Sequence, residues 1–377
     1  MRVALVAGEA SGDLLGAGLI KAIQEKIPDA TFEGVAGPAM IAAGCERIED
    51  AEALAVMGLI EPLSEIPRLL KLRRALIDRW RQSPPDVFVG IDAPDFNFGL
   101  EKALRESGIP VAHYVSPSIW AWRAGRIKTV AQSVDRVLCI LPFEKSIYDE
   151  HGIDAVFVGH PKADSLPANP DMVAVRESLG LGKGTVIAVL PGSRTNEVKR
   201  LGPVFAKAAA ILVADNPDLQ FVTPVASDKL RPMIESQVEA AGVGEHFTIV
   251  AGDSIAAMTA ADIVLLASGT AALESALLCK PTVAAYRVAE LSARIIQVLG
   301  LIKAPYFTLP NLLTEEALVP EIIQWDVTPK AVAAEVQALL SDPDRCASIS
   351  EQFAKLRAEL ALDADHRAAA AVIELAT

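Results

Sequence analysis

Five short stretches of this 377-residue chain gather side chains that can do chemistry. The first is Gly8-Glu9-Ala10-Ser11-Gly12-Asp13, a glycine turn between a β-like run and a helical one. Glycines let a ligand approach the backbone, and the N–H groups that open a helix attract anions. The spacing Gly8, Gly12, Gly16 is not a dinucleotide fingerprint, so a plain strand-to-helix turn with Asp13 near the helix start reads equally well. The second stretch, Gly90-Ile91-Asp92-Ala93-Pro94-Asp95-Phe96-Asn97, sets two carboxylates three residues apart behind a buried strand. Partial desolvation at such a strand end raises a carboxyl group toward useful base strength. Asp92 fits a general base, and Asp95 reads as a helix cap.

The third stretch, His113-Tyr114-Val115-Ser116-Pro117-Ser118-Ile119-Trp120-Ala121-Trp122-Arg123, holds two of the four tryptophans in a Pro-stiffened loop. Aromatic faces beside an arginine suit a sugar ring or an acyl chain carrying phosphate, and a packed aromatic cluster is the alternative. The fourth, Pro191-Gly192-Ser193-Arg194-Thr195-Asn196-Glu197, opens a helix with a Gly-Ser turn and an arginine. That is a diphosphate cradle, or an N-cap at Ser193 or Asn196, and the arginine favours the anion. The fifth is Ser268-Gly269-Thr270, with Glu274 on the helix that follows. There the amides suit phosphate and the carboxylate suits both ribose hydroxyls, although capping alone gives a similar pattern. Two phosphate-like turns in one half make a nucleotide diphosphate the economical ligand.

These turns need rigid supports. Strands are expected at 2–7, 31–35, 86–91, 109–115, 135–140 and 155–158, with helical patterns at 13–26, 65–81, 96–106 and 124–132. After a polar stretch at 164–171, strands are expected at 185–190, 219–223, 247–250, 262–266 and 282–286. Val/Ile/Leu-rich strands alternating with helices indicate parallel sheets covered on both faces. The chain therefore reads as α/β, with two Rossmann-like doubly wound domains, 1–165 and 166–328, facing a cleft. Residues 329–377 read as C-terminal helices. Ligands of such sheets lie outside the carboxyl ends of the strands, where all five stretches fall.

Composition narrows the classes. The chain carries 35 basic and 48 acidic side chains, a formal charge of −13, yet is 51% hydrophobic. Its mean hydropathy is +0.33. That apolar content excludes disorder, and the net charge argues against a nucleic-acid partner. No uncharged apolar run reaches the roughly 18 residues of a membrane span. The N-terminus reads as a buried strand rather than a signal peptide, and the scattered Cys45, Cys139, Cys279 and Cys346 suit a reducing cytoplasm. The five histidines lack metal-ligand spacing, so neither metal nor cofactor is expected. In the helical pattern 65–81, Leu69, Leu70, Leu72 and Leu76 are interleaved with Arg68, Lys71, Arg73 and Arg74, just after Met57. A basic, apolar helix suits an anionic membrane surface, and a crossover helix with a solvated basic face is the alternative.

Taken together, these motifs resemble one family, the lipid-A-disaccharide synthases, inverting glycosyltransferases of the GT-B fold. Further segments carry the likeness: Gly34-Val35-Ala36-Gly37-Pro38, Leu141-Pro142-Phe143-Glu144-Lys145, Phe157-Val158-Gly159-His160 and Leu309-Pro310-Asn311-Leu312-Leu313. The resemblance implies transfer from UDP-2,3-diacylglucosamine to 2,3-diacylglucosamine 1-phosphate, giving a β-1,6 disaccharide and UDP. It makes residues 1–165 the acceptor and lipid side and 166–328 the UDP-sugar side. Asp92 would take the acceptor proton, and Arg194, the Ser193 amide and the 268–270 turn would stabilise the leaving diphosphate. Glu274 would hold the ribose with Asn311 nearby. Glu9, Ser11, Asp95, His113, Trp120, Trp122 and Arg123 would line the acceptor side. It also implies a homodimer exchanging C-terminal helices, while the basic helix and Met57 on their own account suggest peripheral attachment to the cytoplasmic face of the inner membrane. A UDP-GlcNAc 2-epimerase-like enzyme and a non-catalytic two-domain binding protein are the competing readings.

Overall fold

The computed structural model describes residues 1–54, 66–120, 124–168, 170–288 and 305–377. They form two units, one of residues 1–164 and 360–377 and one of residues 165–359.

The first unit is built on a parallel sheet of β1 (Arg2–Ala7), β2 (Thr31–Ala36), β3 (Cys45–Asp50), β4 (Val87–Ile91), β5 (Val111–Tyr114), β6 (Arg136–Cys139) and β7 (Ala155–Phe157). Their order is β3-β2-β1-β4-β5-β6-β7. Alternation along β1 explains why both faces are covered. Val3, Leu5 and Ala7 join one apolar cluster with Leu19, Ile20 and Ile23 of helix α1 (Ala10–Lys26). Ala4 and Val6 join another on the opposite face, with side chains of α3 (Ile66–Gln82) and α4 (Pro94–Arg105). A strand apolar at every position is what a doubly covered sheet requires. The short α2 (Pro38–Ala42) follows β2. The C-terminal helix Ala364–Ala376 returns to this unit, adding Ala368, Ala369 and Val372 to the β1–α1 cluster. The Asp164 carboxylate anchors its entry by accepting from Asp363 N (3.0 Å) and Ala364 N (2.7 Å). Residues 329–359 group with the second unit and 360–377 with the first, so the expected tail divides between them.

The second unit repeats the plan with β8 (Val186–Leu190), β9 (Gln220–Val225), β10 (Phe247–Ala251), β11 (Ile263–Ala267), β12 (Thr282–Tyr286) and β13 (Glu321–Ile323). All are parallel, in the order β10-β9-β8-β11-β12-β13. Strand order reverses between β1 and β4 in the first sheet and between β8 and β11 in the second. Those two switch points are where doubly wound sheets take their ligands. Sequence reading missed two strands, β3 and β13. Both are edge strands: β3 reads Cys-Glu-Arg-Ile-Glu-Asp, and β13 has three residues. Edge strands need no continuous apolar run.

Candidate active site

At the switch point of the first sheet, β1 ends at Gly8 and Glu9, and β4 ends at Asp92 and Ala93. With Leu54, Pro94 and Asp95 these residues line a hollow of about 120 Å³. Its backbone is strained. Glu9 (φ 89°), Asp92 (φ 50°) and Ala93 (φ 43°) are left-handed, and so is Val115 (φ 76°) after the neighbouring β5. A β-branched residue there is a true outlier, and such strain gathers at functional sites. Gly8 is required because a Cβ there would lie 2.7 Å from the Ala93 Cβ. Asp92 is half-buried, its amide bonded to the Tyr114 carbonyl at 2.9 Å. Ser11 is exposed on the first turn of α1 and does not line the hollow.

Three expectations for this unit change. Asp95 is not the cap of α4: Ala93 occupies that position, and Asp95 lies in the first turn, ion-paired to Arg126. Asp13 lies in the first turn of α1, as expected, and binds across to α2 and the residue before it, accepting from Gly37 N (2.9 Å), Ala39 N (2.8 Å) and Met40 N (3.0 Å). His113 does not line the site. It is wholly buried under α4, its Nδ1 2.6 Å from Glu101 Oε1 and its ring against Phe98. Leu69 (4% exposed) and Leu76 (1%) of α3 point into the core, because its apolar face serves the sheet. Leu72 also packs there, half-buried, and the half-buried Arg73 guanidinium lies against Gly99. The exposed face carries Arg68, Leu70, Lys71 and Arg74, with Arg68 bonded to the Ala53 carbonyl at 2.9 Å. Met57, Trp122 and Arg123 lie outside the described residues.

Trp120 is half-buried, its Nε1 donating to Glu144 Oε1 at 3.3 Å and its ring edge-on to Phe143. Glu144 also accepts from Leu141 N at 3.2 Å. Burial pushes its carboxyl up to about 7, against those hydrogen bonds. The loop before Trp120 is pinned by Ser116 Oγ, 2.8 Å from the Tyr148 hydroxyl.

At the switch point of the second sheet lies a cavity of about 550 Å³. Its walls include Gly192, Ser193 and Arg194 after β8, and Ser268, Gly269, Thr270 and Glu274 after β11. The fourth and fifth stretches therefore meet, as a nucleotide diphosphate needs. Among the described residues lining the cavity, Arg194 is the single basic side chain, against Glu197, Asp253 and Glu274. Two expectations change here. Glu197 Oε2 already accepts from Ser193 N (3.0 Å) and Arg194 N (3.3 Å), because a glutamate on the first helical turn reaches back to those amides. What remains for an anion is the Ser193 hydroxyl, the Arg194 guanidinium and the 268–270 turn. Asn311 is buried away from the cavity. Its Nδ2 donates to the Val319 carbonyl (2.8 Å) and Glu321 Oε1 (2.9 Å), and its Oδ1 accepts from Val319 N (2.8 Å). Sequence reasoning missed a third glycine turn, Gly252-Asp253-Ser254, and Tyr286 at the end of β12, all of which line the cavity. The signal for the turn was present, a Gly-Asp-Ser run opening a helix after β10. Burial and the nearby Glu197 charge raise the Tyr286 hydroxyl pKa, and its ring centroid lies 5.8 Å from that of Phe307.

Known proteins resemble this chain over its whole length. The family model described as lipid-A-disaccharide synthetase matches residues 3–375. The lipid-A-disaccharide synthase of Alkalilimnicola ehrlichii is 47% identical, covering 100% of this chain and 99% of that protein. That of Hahella chejuensis is also 47% identical, covering 100% and 94%. Among solved structures, UDP-GlcNAc 2-epimerase from Neisseria meningitidis bound to UDP-GlcNAc superposes with a TM-score of 0.63 at 14% identity, over 99% of each chain. A glycosyltransferase from Rickettsia africae gives 0.60 at 14%, over 100% of this chain and 97% of that one. At such identities the two structures speak for the fold alone.

Proposed function

The chain belongs to the lipid-A-disaccharide synthase family, and from that premise we propose how its two carboxyl edges divide the reaction. It is a hexosyltransferase of lipid A biosynthesis, taking a UDP-sugar donor and a glucosamine-based acceptor. The family reaction joins UDP-2,3-diacylglucosamine to 2,3-diacylglucosamine 1-phosphate. It inverts the anomeric carbon, since an α-linked donor gives a β-1,6 product.

Inversion requires the acceptor oxygen to attack from the face opposite UDP. Asp92 takes the proton of the attacking hydroxyl as the new C–O bond forms, and the bond from the anomeric carbon to the diphosphate oxygen breaks. Charge then grows on two centres, the oxocarbenium-like sugar and the departing diphosphate. The Arg194 guanidinium, the Ser193 hydroxyl and the 268–270 amides receive the second of these, and Glu274 holds the ribose. The observation that carries this assignment is the placement of Asp92. It is a half-buried carboxylate at a left-handed strand end, beside Glu9 in the switch-point hollow.

The site residues are tested by incubating the enzyme with both acylated substrates and measuring UDP and disaccharide in equal amounts. Asp92→Asn should lower transfer by about 10³-fold. Turnover near that of the wild type would remove Asp92 and leave Glu9, exposed in the same hollow, as the candidate base.

The greasy substrates place the enzyme at the cytoplasmic face of an anionic inner membrane. The exposed side of α3, with Arg68, Leu70 (48% exposed), Lys71 and Arg74, is the described surface suited to it. Among the described residues no helix is long and apolar enough to cross a membrane. Reversing Arg68, Lys71 and Arg74 to Glu should release the protein from anionic vesicles, and unaltered co-sedimentation would exclude this face. A homodimer completes the reading, and light scattering at the mass of one chain would remove it.

A further inference from the structure

The inner face of α4 sets two polar side chains, Asn97 and Glu101, among the apolar Phe96, Phe98, Leu100 and Leu104 that pack on the sheet. Asn97, one turn into α4, is wholly buried. Its Nδ2 donates to the Asp92 carbonyl at 2.8 Å and lies 3.4 Å from the Val6 carbonyl. One amide group thus ties the carboxyl end of β4 to that of β1, the two strands that bring Asp92 and Glu9 into the hollow. The Asn97 backbone N–H closes the same turn on the Ala93 carbonyl at 2.9 Å. Its Oδ1 has no hydrogen-bond partner among the described residues. Orphaned buried acceptors are costly, and an apolar side chain of similar size would avoid the cost. Packing alone therefore does not account for an asparagine here. One turn on, Glu101 lies against Gly90, where any Cβ would collide with its Oε1. Glu101 Oε2 and His113 Nε2 are orphaned in the same way, so the polar seam runs along the strand that ends at Asp92.

We propose that Asn97 is a positioning residue for Asp92, holding its main chain so that the left-handed pair Asp92–Ala93 presents the carboxylate beside Glu9. The inference rests on the reading of Asp92 as general base. Misplacing a reacting group by an ångström can cost about 100-fold in rate, so Asn97→Ala should lower kcat by about that factor. Both KM and the calorimetric UDP affinity should stay within about twofold, because binding is left alone.

A purely structural defect is separated by the double variant. If Asn97 acts through Asp92, Asn97→Ala costs nothing further in the Asp92→Asn background. Losses that multiply there, or a UDP affinity that falls together with kcat, would overturn the proposal. Should Asn97→Ala fold poorly, Asn97→Asp keeps the shape but presents an acceptor to the Asp92 carbonyl when ionised. Its activity relative to wild type should recover as the pH falls and the new carboxyl protonates, and a flat ratio would overturn the proposal. Near-normal turnover of Asp92→Asn alone would sink the base assignment itself, an outcome distinct from either.

Discussion

The two sheets share one strand order, yet their carboxyl edges are made of opposite materials. At the β1–β4 switch point the turns carry Glu9 and Asp92 on left-handed, strained backbone, with Asp95 on the first helical turn beside them. At the β8–β11 switch point they carry Gly192, Ser193, Gly269 and Thr270 around one arginine. On the proposed assignment, the first edge concentrates carboxylates to remove a proton, and the second offers amides, hydroxyls and a guanidinium to receive charge. A fold used twice supplies two similar platforms, and the chemistry is set by the few residues after each strand. Acidic side chains do not by themselves mark the first edge, since Glu197, Asp253 and Glu274 line the second as well. There Glu197 and Asp253 serve partly as caps, accepting from Ser193, Arg194 and Ala256 amides.

Substitutions at each edge should have distinct effects. The largest effect belongs to Asp92→Asn, which should cut turnover by about 10³-fold, within the usual range for a lost general base, with UDP affinity unchanged. Comparable losses in both quantities would mean the edges are not separable. Next, Asp13→Ala removes the acceptor of three α2 amides and should lower unfolding stability by about 2–4 kcal/mol, read in a denaturant melt. An unchanged midpoint would remove Asp13 as the brace behind the first edge. Arg194→Ala should weaken UDP binding by about 30-fold, near 2 kcal/mol, as measured by calorimetry.

The smallest effect is at Glu144, whose folded carboxyl is raised to about 7 chiefly by burial. The native state binds that proton more tightly than the unfolded chain. Its contribution is therefore complete below about pH 4.5 and is lost as the pH rises through 7. Glu144→Gln should match wild type near pH 5 and exceed it by about 1–2 kcal/mol near pH 8. Equal stability at both pH values would contradict the burial.

The sequence disclosed the second edge more fully than the first. Turns of glycine, serine and threonine after Val/Ile/Leu strands are local signals, and Arg194 and Glu274 do line one cavity. The position of Asp92 directly after β4 was legible for the same reason. What stayed hidden depends on direction rather than position. His113 follows the same alternation as its strand neighbours and points under α4. Asn311 sits in a conspicuous run and faces Val319. Periodicity gives α3 an apolar face without saying whether protein or lipid covers it, and Leu69 and Leu76 prove to face protein. The Glu197 carboxylate seated on the Ser193 and Arg194 amides is a contact that no spacing rule separates from a free anion cradle. β10 was expected, yet the Gly252-Asp253-Ser254 turn behind it was passed over, because it has no basic or aromatic side chain beside it to suggest a ligand.

The division of labour between the edges is tested most directly by amide hydrogen exchange with and without saturating UDP. Exchange should slow at residues 192–198, 252–256 and 268–274, with no comparable change at 8–13 and 92–97. Protection centred on the Asp92 turn, with the second edge unaffected, would contradict that division.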